Sequence, residues 1–362
     1  MAAHPAPIAD LRTFDPASPD PALLRAWQRL DAAAGSPMQA SAFALAVGAT
    51  LLAGTPLALA VSEGSAGIEA LLPLVLAAGP LTRWRLAGPR ETSEPSDALC
   101  GNAPAAARLA ASLAALRQPL SLDRIPADSP LVPALRQALR GRALVSVRPA
   151  QPSPAIALGP DWHEPESRFN AGRRSDFRRA ARKAAGLGTV TYEFACPDPA
   201  EFEARFDEAV AVEGRSWKTA AGTALAVDLP RQAFFRAYLG AECARGALRL
   251  GVMRIDGQAV AIQLAVESGG RLWLYKIGYD EAYRKCSPGT LLLLHTAGAA
   301  ARAGLASIEL LGNPEPWIAE LWTRDERPCL RVRTYPFSLA GAAALLADGG
   351  EWLRARLGGG GR

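Results

Sequence analysis

Two stretches of the chain share one hydrophobic pattern. Residues 56–76 and 248–266 each run as an apolar strand, a short turn rich in glycine and acidic residues, and a second apolar strand. Asp256-Gly257 in the second stretch is a hairpin signal, because both residue types accept the positive φ of a tight turn. The parallel continues downstream: residues 81–86 match 271–276 as the next strand. A helix is predicted over 104–116 and again over 290–303. Pro104 suits a first helical position, where its missing amide hydrogen costs nothing. A further strand follows in each half, at 120–123 and 307–311. Such self-similarity predicts a duplicated α/β unit with mixed sheets.

Other elements fall around these halves. Residues 32–62 carry no charge, but Gly54-Thr55-Pro56 reads as a turn. The stretch is therefore expected to be a buried helix to about Leu52 and a strand from Leu57, not a membrane span. Phe202, Phe206, Ala209 and Val210 give helical spacing from about Glu201 to Glu213. Residues 173–183 hold a basic helix on which Arg174, Arg178 and Arg182 share one face, with Arg179 and Lys183 beside it. Residues 151–165 are proline-rich and read as a stiff linker. The expected organisation is a degenerate domain over 1–150, that linker, and a second domain over 166–362.

Composition changes this picture little. Hydrophobic content is 49%, charged content 21%, and the formal net charge +5, a mild excess that suits an anionic ligand. The N-terminal residues have no basic region followed by an apolar run, so no secretory signal is read there and a cytoplasmic location is expected. The five cysteines form no CxxC pair, and the three histidines, His4, His163 and His295, are far apart. No metal site is expected.

The chemistry concentrates at 278–291. A strand ending Gly-Tyr-Asp is followed by Arg284, Lys285, Cys286, Ser287, Pro288, Gly289 and Thr290, where a helix is predicted to begin. Free amides and the helix dipole make such a start an anion site suited to a pyrophosphate. The expected ligands are Arg284, Lys285, Cys286 and the amides of Ser287, Gly289, Thr290 and Leu291. The equivalent region of the first half is acidic over 91–97, which would repel phosphate, so only the second half is expected to bind such an anion.

Three segments carry a resemblance: Arg173–Lys183 followed by Gly-Leu-Gly-Thr-Val-Thr-Tyr-Glu, Glu-Gly-Arg-Ser-Trp-Lys at 213–218, and Gly-Tyr-Asp-Glu-Ala-Tyr-Arg-Lys-Cys-Ser-Pro-Gly-Thr-Leu-Leu at 278–292. The chain resembles bacterial GNAT-superfamily proteins described as cellulose-biosynthesis-associated acetyltransferase-like proteins. These have two GNAT-like domains and are related to Fem-type peptidoglycan aminoacyltransferases. Two departures are visible. Ser287 stands where the GNAT pyrophosphate loop has its first glycine, and Glu315-Pro-Trp317 replaces a Tyr-Lys pair frequent in this branch.

The resemblance implies a tandem GNAT-like α/β fold and an N-acyltransferase using acetyl-CoA or another acyl-CoA. The implied acceptor is a small molecule or glycan, such as an amino sugar or another cell-envelope or exopolysaccharide precursor, with possible partners in envelope synthesis. Aminoacyl-tRNA is the alternative donor, the basic helix then contacting RNA. A non-catalytic accessory role in exopolysaccharide assembly is the third reading. GNAT folds splay two strands so that backbone amides meet the acyl group, here about 272–279 and 307–311. Transfer needs a neutral amine and a protonated leaving group. Glu213 is the expected general base, with Asp280 and Glu309 as other acids. Tyr283, or Tyr279, is an expected proton donor. A lowered thiol pKa is expected at Cys286, beside Lys285 at a helix start. His295, on an apolar helix, is expected to pack.

Overall fold

The computed structural model describes residues 11–65, 67–77 and 82–358. The N-terminal reading, His4 and Leu81 lie outside the described residues. The chain forms two compact units, Met1–Pro152 with Arg327–Arg362, and Ser153–Glu326.

In chain order the first unit contains β1 (Leu11–Phe14), α1 (Pro21–Asp31), α2 (Ser41–Ala49), β2 (Leu57–Gly64), β3 (Gly67–Ala77), β4 (Arg83–Leu86), α3 (Pro89–Thr92), β5 (Leu99–Cys100), α4 (Ala103–Ala115), β6 (Leu120–Pro126) and α5 (Leu131–Ala138). Strand β7 (Ala143–Ala157) carries the chain into the second unit. There follow α6 (Ala171–Ala185), β8 (Val190–Ala195), α7 (Phe202–Gly214), α8 (Leu229–Ala244), β9 (Leu248–Ile255), β10 (Gln258–Ser268), β11 (Arg271–Tyr279), α9 (Pro288–Arg302), β12 (Ser307–Glu309) and α10 (Pro316–Leu321). The chain returns to the first unit for most of β13 (Glu326–Pro336) and for α11 (Leu339–Gly358).

The strand order repeats. In the first unit it runs β1-β2-β3-β4-β6-β13, and in the second β8-β9-β10-β11-β12-β7. Each begins with three antiparallel pairings. Each then has one parallel pairing, β4 with β6 and β11 with β12. Each closes on an antiparallel strand that the chain supplies from outside the repeat. The fold is thus α/β with mixed sheets, as the repeated pattern predicts. α4 buries Leu109 and Leu113 with Leu72 and Leu74 of β3 and Leu131 of α5. The matching α9 buries Leu293, Leu294 and Ala297 with Leu272 and Leu274 of β11.

Two boundaries differ from expectation. Residues 151–157 are strand, not linker. Pro154 is tolerated because its carbonyl is the group used, accepting from the Leu310 amide at 2.9 Å. Beyond it, Trp162 is buried against Phe169, Phe177 and Trp322 and anchors the segment to the core. Residues 327–362 belong to the first unit, because β13 pairs with β6. The uncharged stretch folds as a short turn, α2 and β2, with Phe43 and Val47 buried. No helix among the described residues is long and apolar enough to cross a membrane.

Candidate active site

Strand β11 is held on one edge by β10 and on the other by β12. It meets β12 only through Leu272–Ile308 and Trp273–Glu309. Past Trp273 that edge is open, as a splayed pair requires. The β10 register shifts between Leu264 and Ala265, whose partners are Lys276 and Leu274, so Tyr275 is an extra residue in β11. A bulge re-aims side chains. Here Tyr275 meets Tyr238 of α8, their hydroxyls 3.1 Å apart, and Lys276 also faces α8, its Nζ 5.4 Å from the Phe235 ring centre.

Lys276 is one corner of a buried charge cluster. Its ammonium lies 3.7 Å from Glu213 Oε1, and Lys218 Nζ is 3.1 Å from the same oxygen. The Leu225 amide donates to Glu213 Oε2 at 2.9 Å. Lys218 also donates to the Ile277 carbonyl. Glu213 is 0% exposed. α7 approaches this closely because residue 278 is glycine: a Cβ there would meet Glu213 Cα at 3.0 Å. Burial lowers the Lys276 pKa, and Glu213 partly offsets that shift. Both oxygens of Glu213 are engaged, so this carboxylate, expected from the sequence as the general base, sits as the shared counter-ion of two ammonium groups. Lys276 was the more informative residue, and its signal was a lysine inside an apolar strand.

The other expected acids and tyrosines are also occupied. Asp280 accepts from the Ala282 amide at 3.0 Å and from Arg215 Nε at 2.5 Å, bracing the loop that follows β11. Tyr283 packs with Val260, Cys286 and Leu291, and its hydroxyl lies 3.4 Å from Gln258 Oε1 on the hairpin. Burial raises the Tyr279 pKa, reinforced by Glu281. Glu309 accepts from Ser307 Oγ at 2.6 Å, with Arg271 4.0 Å away. His295 stacks on Tyr192 at 4.9 Å between ring centres, and burial lowers its pKa.

The start of α9 is the second part of the site. Ser287 adopts φ 49° and ψ 53°, a left-handed conformation that is strained without glycine. Its amide donates to the Arg284 carbonyl at 3.1 Å, and the Thr290 and Leu291 amides both turn back to the Ser287 carbonyl. Pro288 has no amide hydrogen. Of the four expected amides, Gly289 alone meets no backbone acceptor among the described residues. No side chain caps α9. In the first unit, Asn102 caps α4 by accepting from the Ala105 amide at 2.8 Å. The helix start that matches the candidate site is therefore closed there.

A pocket of about 280 Å³ opens beside the uncapped start. Arg173, Lys183 and Arg179, the last paired with Asp176 at 2.7 Å, line it from α6 together with Lys285, Ser287 and Thr290. The face of α6 presented is not the Arg174-Arg178-Arg182 face. Phe177, Ala180 and Ala184 are the buried residues of this helix, and they set its rotation. Arg174 instead donates to the Phe169 carbonyl at 2.8 Å, and Arg284 is exposed outside the pocket lining. Cys286 is buried, its thiol donating to the Tyr283 carbonyl at 3.1 Å. Burial raises its pKa, opposite to the lowering expected at a helix start.

Residues 171–317 match the family model described as Acetyltransferase (GNAT) domain. No curated protein matches the chain in sequence. Similar solved structures include FemX, at 12% identity and a TM-score of 0.56, with 87% of this chain and 96% of that one covered. A conserved protein of unknown function from Bacteroides thetaiotaomicron gives 10% identity, a TM-score of 0.56, and coverage of 90% and 99%. The C-terminal domain of a candidate lysylphosphatidylglycerol synthetase from Agrobacterium fabrum gives 13%, 0.52, and 90% and 94%. At these identities the likeness concerns the fold. Over residues 171–317 the second unit thus matches a GNAT acetyltransferase domain, and the class this supports is an acyltransferase.

Proposed function

We propose that the second unit transfers an acyl group from acyl-CoA, acetyl-CoA in the simplest case, directly to an amine. The observation that carries this reading is the uncapped, lysine- and arginine-lined start of α9. The Gly289 amide, Lys285, Lys183, Arg173 and Arg179 would hold the phosphates, and the thioester would supply an activated acyl group. The open edge of β11 past Trp273 is where backbone groups would meet that acyl group. An acceptor amine would reach that acyl group from the open edge of β11, beside Lys218 and Lys276. The acceptor in this reading is an amino sugar or another envelope or exopolysaccharide precursor, cellulose assembly being one such setting.

Charge reversal tests the donor site. Lys183→Glu with Lys285→Glu is expected to weaken acetyl-CoA binding by at least about tenfold, the loss of two charge-assisted phosphate contacts. Calorimetry on the full chain is the check, and unchanged affinity would remove the pocket from the account. A second reading keeps the same site but takes aminoacyl-tRNA as donor. Arg178 and Arg182, exposed on α6 outside the pocket lining, favour it. Binding of tRNA in preference to acetyl-CoA at moderate salt would select that reading. Acetyl-CoA binding without transfer to any of a panel of amino sugars would select the accessory role.

A further inference from the structure

The Glu213 cluster holds more positive than negative charge. Lys218 and Lys276 share one carboxylate. The nearest further charges are Asp228 and Arg231 at the start of α8, which pair with each other at 3.3 Å and add no net charge. The lysine side chains are only 18% and 13% exposed. A surplus ammonium at this partial burial is stabilised by an anion that completes it. The cluster is also not part of the phosphate pocket. Lys276 faces α7 and α8 through Glu213 and Phe235, whereas Leu274 and Ile277 of the same strand pack with Leu293 and Leu294 of α9. The pocket beside α9 has its own basic residues. The cluster sits on the splayed half of β11, next to the bulge and past the last β12 pair. An anion there would be near the acyl group but would not be the donor's phosphate.

We infer that the acceptor amine carries its own anionic group, a carboxylate or a phosphate, and that Lys276 with Lys218 recognises it, Glu213 holding the two ammonium groups in place. This rests on the acyltransferase reading above and narrows its acceptor to amino acids, amino-sugar phosphates and compounds of like charge. The neighbouring loop adds an apolar rim, since Trp217, Val227 and Leu229 are all at least half exposed.

Matched probes test it on the full chain without donor. Calorimetric binding is compared for glucosamine 6-phosphate against glucosamine, and for alanine against alaninamide. The charged member of at least one pair is expected to bind about tenfold tighter, the worth of one charge-assisted contact. The pair that responds tells phosphate from carboxylate. Lys276→Met leaves Glu213 paired with Lys218, so the fold is kept, and it is expected to erase the preference. Lys276→Arg should restore part of it. Equal binding within both pairs, no binding by either charged probe, or a preference that survives Lys276→Met would overturn the inference. Acetyl-CoA titrated into the same samples keeps the two claims apart. Loss of donor binding in the wild type would sink the donor reading alone, and Lys276→Met should leave donor affinity unchanged.

Discussion

Glu213→Gln is expected to destabilise the second unit by about 3–5 kcal/mol, the cost of removing one partner from a buried ion pair. The carboxylate is the counter-charge for both lysines, and a neutral amide leaves two ammonium groups crowded in a largely buried site. Denaturant unfolding of the full chain, followed by a probe of the second unit, reads this directly. Replacing all three residues by methionine should recover most of the loss, because an apolar substitute for a buried ion cluster is often neutral or better. A general base poised for catalysis would behave differently: Glu213→Gln would fold normally and lose only turnover. Wild-type stability in that variant would therefore contradict the positioning role assigned to Glu213.

Asp97→Asn is expected to act in the other direction, on the first unit. Burial raises the Asp97 carboxyl from 3.8 to about 7, and hydrogen bonds from Ser129 and the Ala98 amide only partly counter that. The folded state thus holds a proton that the unfolded chain gives up near pH 3.8. Between pH 3.8 and about 7 the unfolded state binds fewer protons, so stability falls as pH rises, and above pH 7 the loss is complete. Over this window it amounts to roughly 4 kcal/mol. Both recorded hydrogen bonds reach Oδ1, which asparagine retains. The variant should be more stable than wild type at pH 8 and should lack this downward slope. Unfolding curves at pH 5 and pH 8 provide the check, and identical slopes for the two proteins would refute the assignment. The same burial explains why the acidic loop can sit where a phosphate-facing loop would be: Glu94, Ser96 and Asp97 are packed inside the first unit.

The repeat was legible because hairpins, helix and following strand are written in residues whose burial depends on local period. Residues 248–266 alternate little and contain Asp256-Gly257, so β9, β10 and their turn could be placed closely. The closing strands were not legible in this way. β7 and β13 join sheets whose other strands lie far along the chain, and the prolines of 151–165 suggest a linker until the partner of Pro154 is known. At the site, the basic turn and helix start over 284–290 were readable from charge and helix-end chemistry. Which groups stay open was not. Ser287 turns its carbonyl onto two amides, Cys286 tucks inward, and Asp280 is taken by Arg215, contacts that sequence spacing does not encode. Glu213 looked like a base because it ends a helix beside basic residues. The same residues, folded inward, make it a buried counter-ion.

The central claim is that one donor site exists, at the start of α9. Calorimetric titration of acetyl-CoA into the full chain, wild type and Gly289→Val, tests it most directly. An added Cβ would meet Tyr279 Cδ1 at 3.4 Å, an ordinary contact, and thermal unfolding of the variant checks that the fold persists while the approach of phosphate to the Gly289 amide is blocked. The account predicts one acetyl-CoA per wild-type chain and binding at least about a hundredfold weaker in the variant, the loss of a backbone anion contact together with the pocket's close approach. Two molecules per chain, or equal affinity in the two proteins, would contradict it.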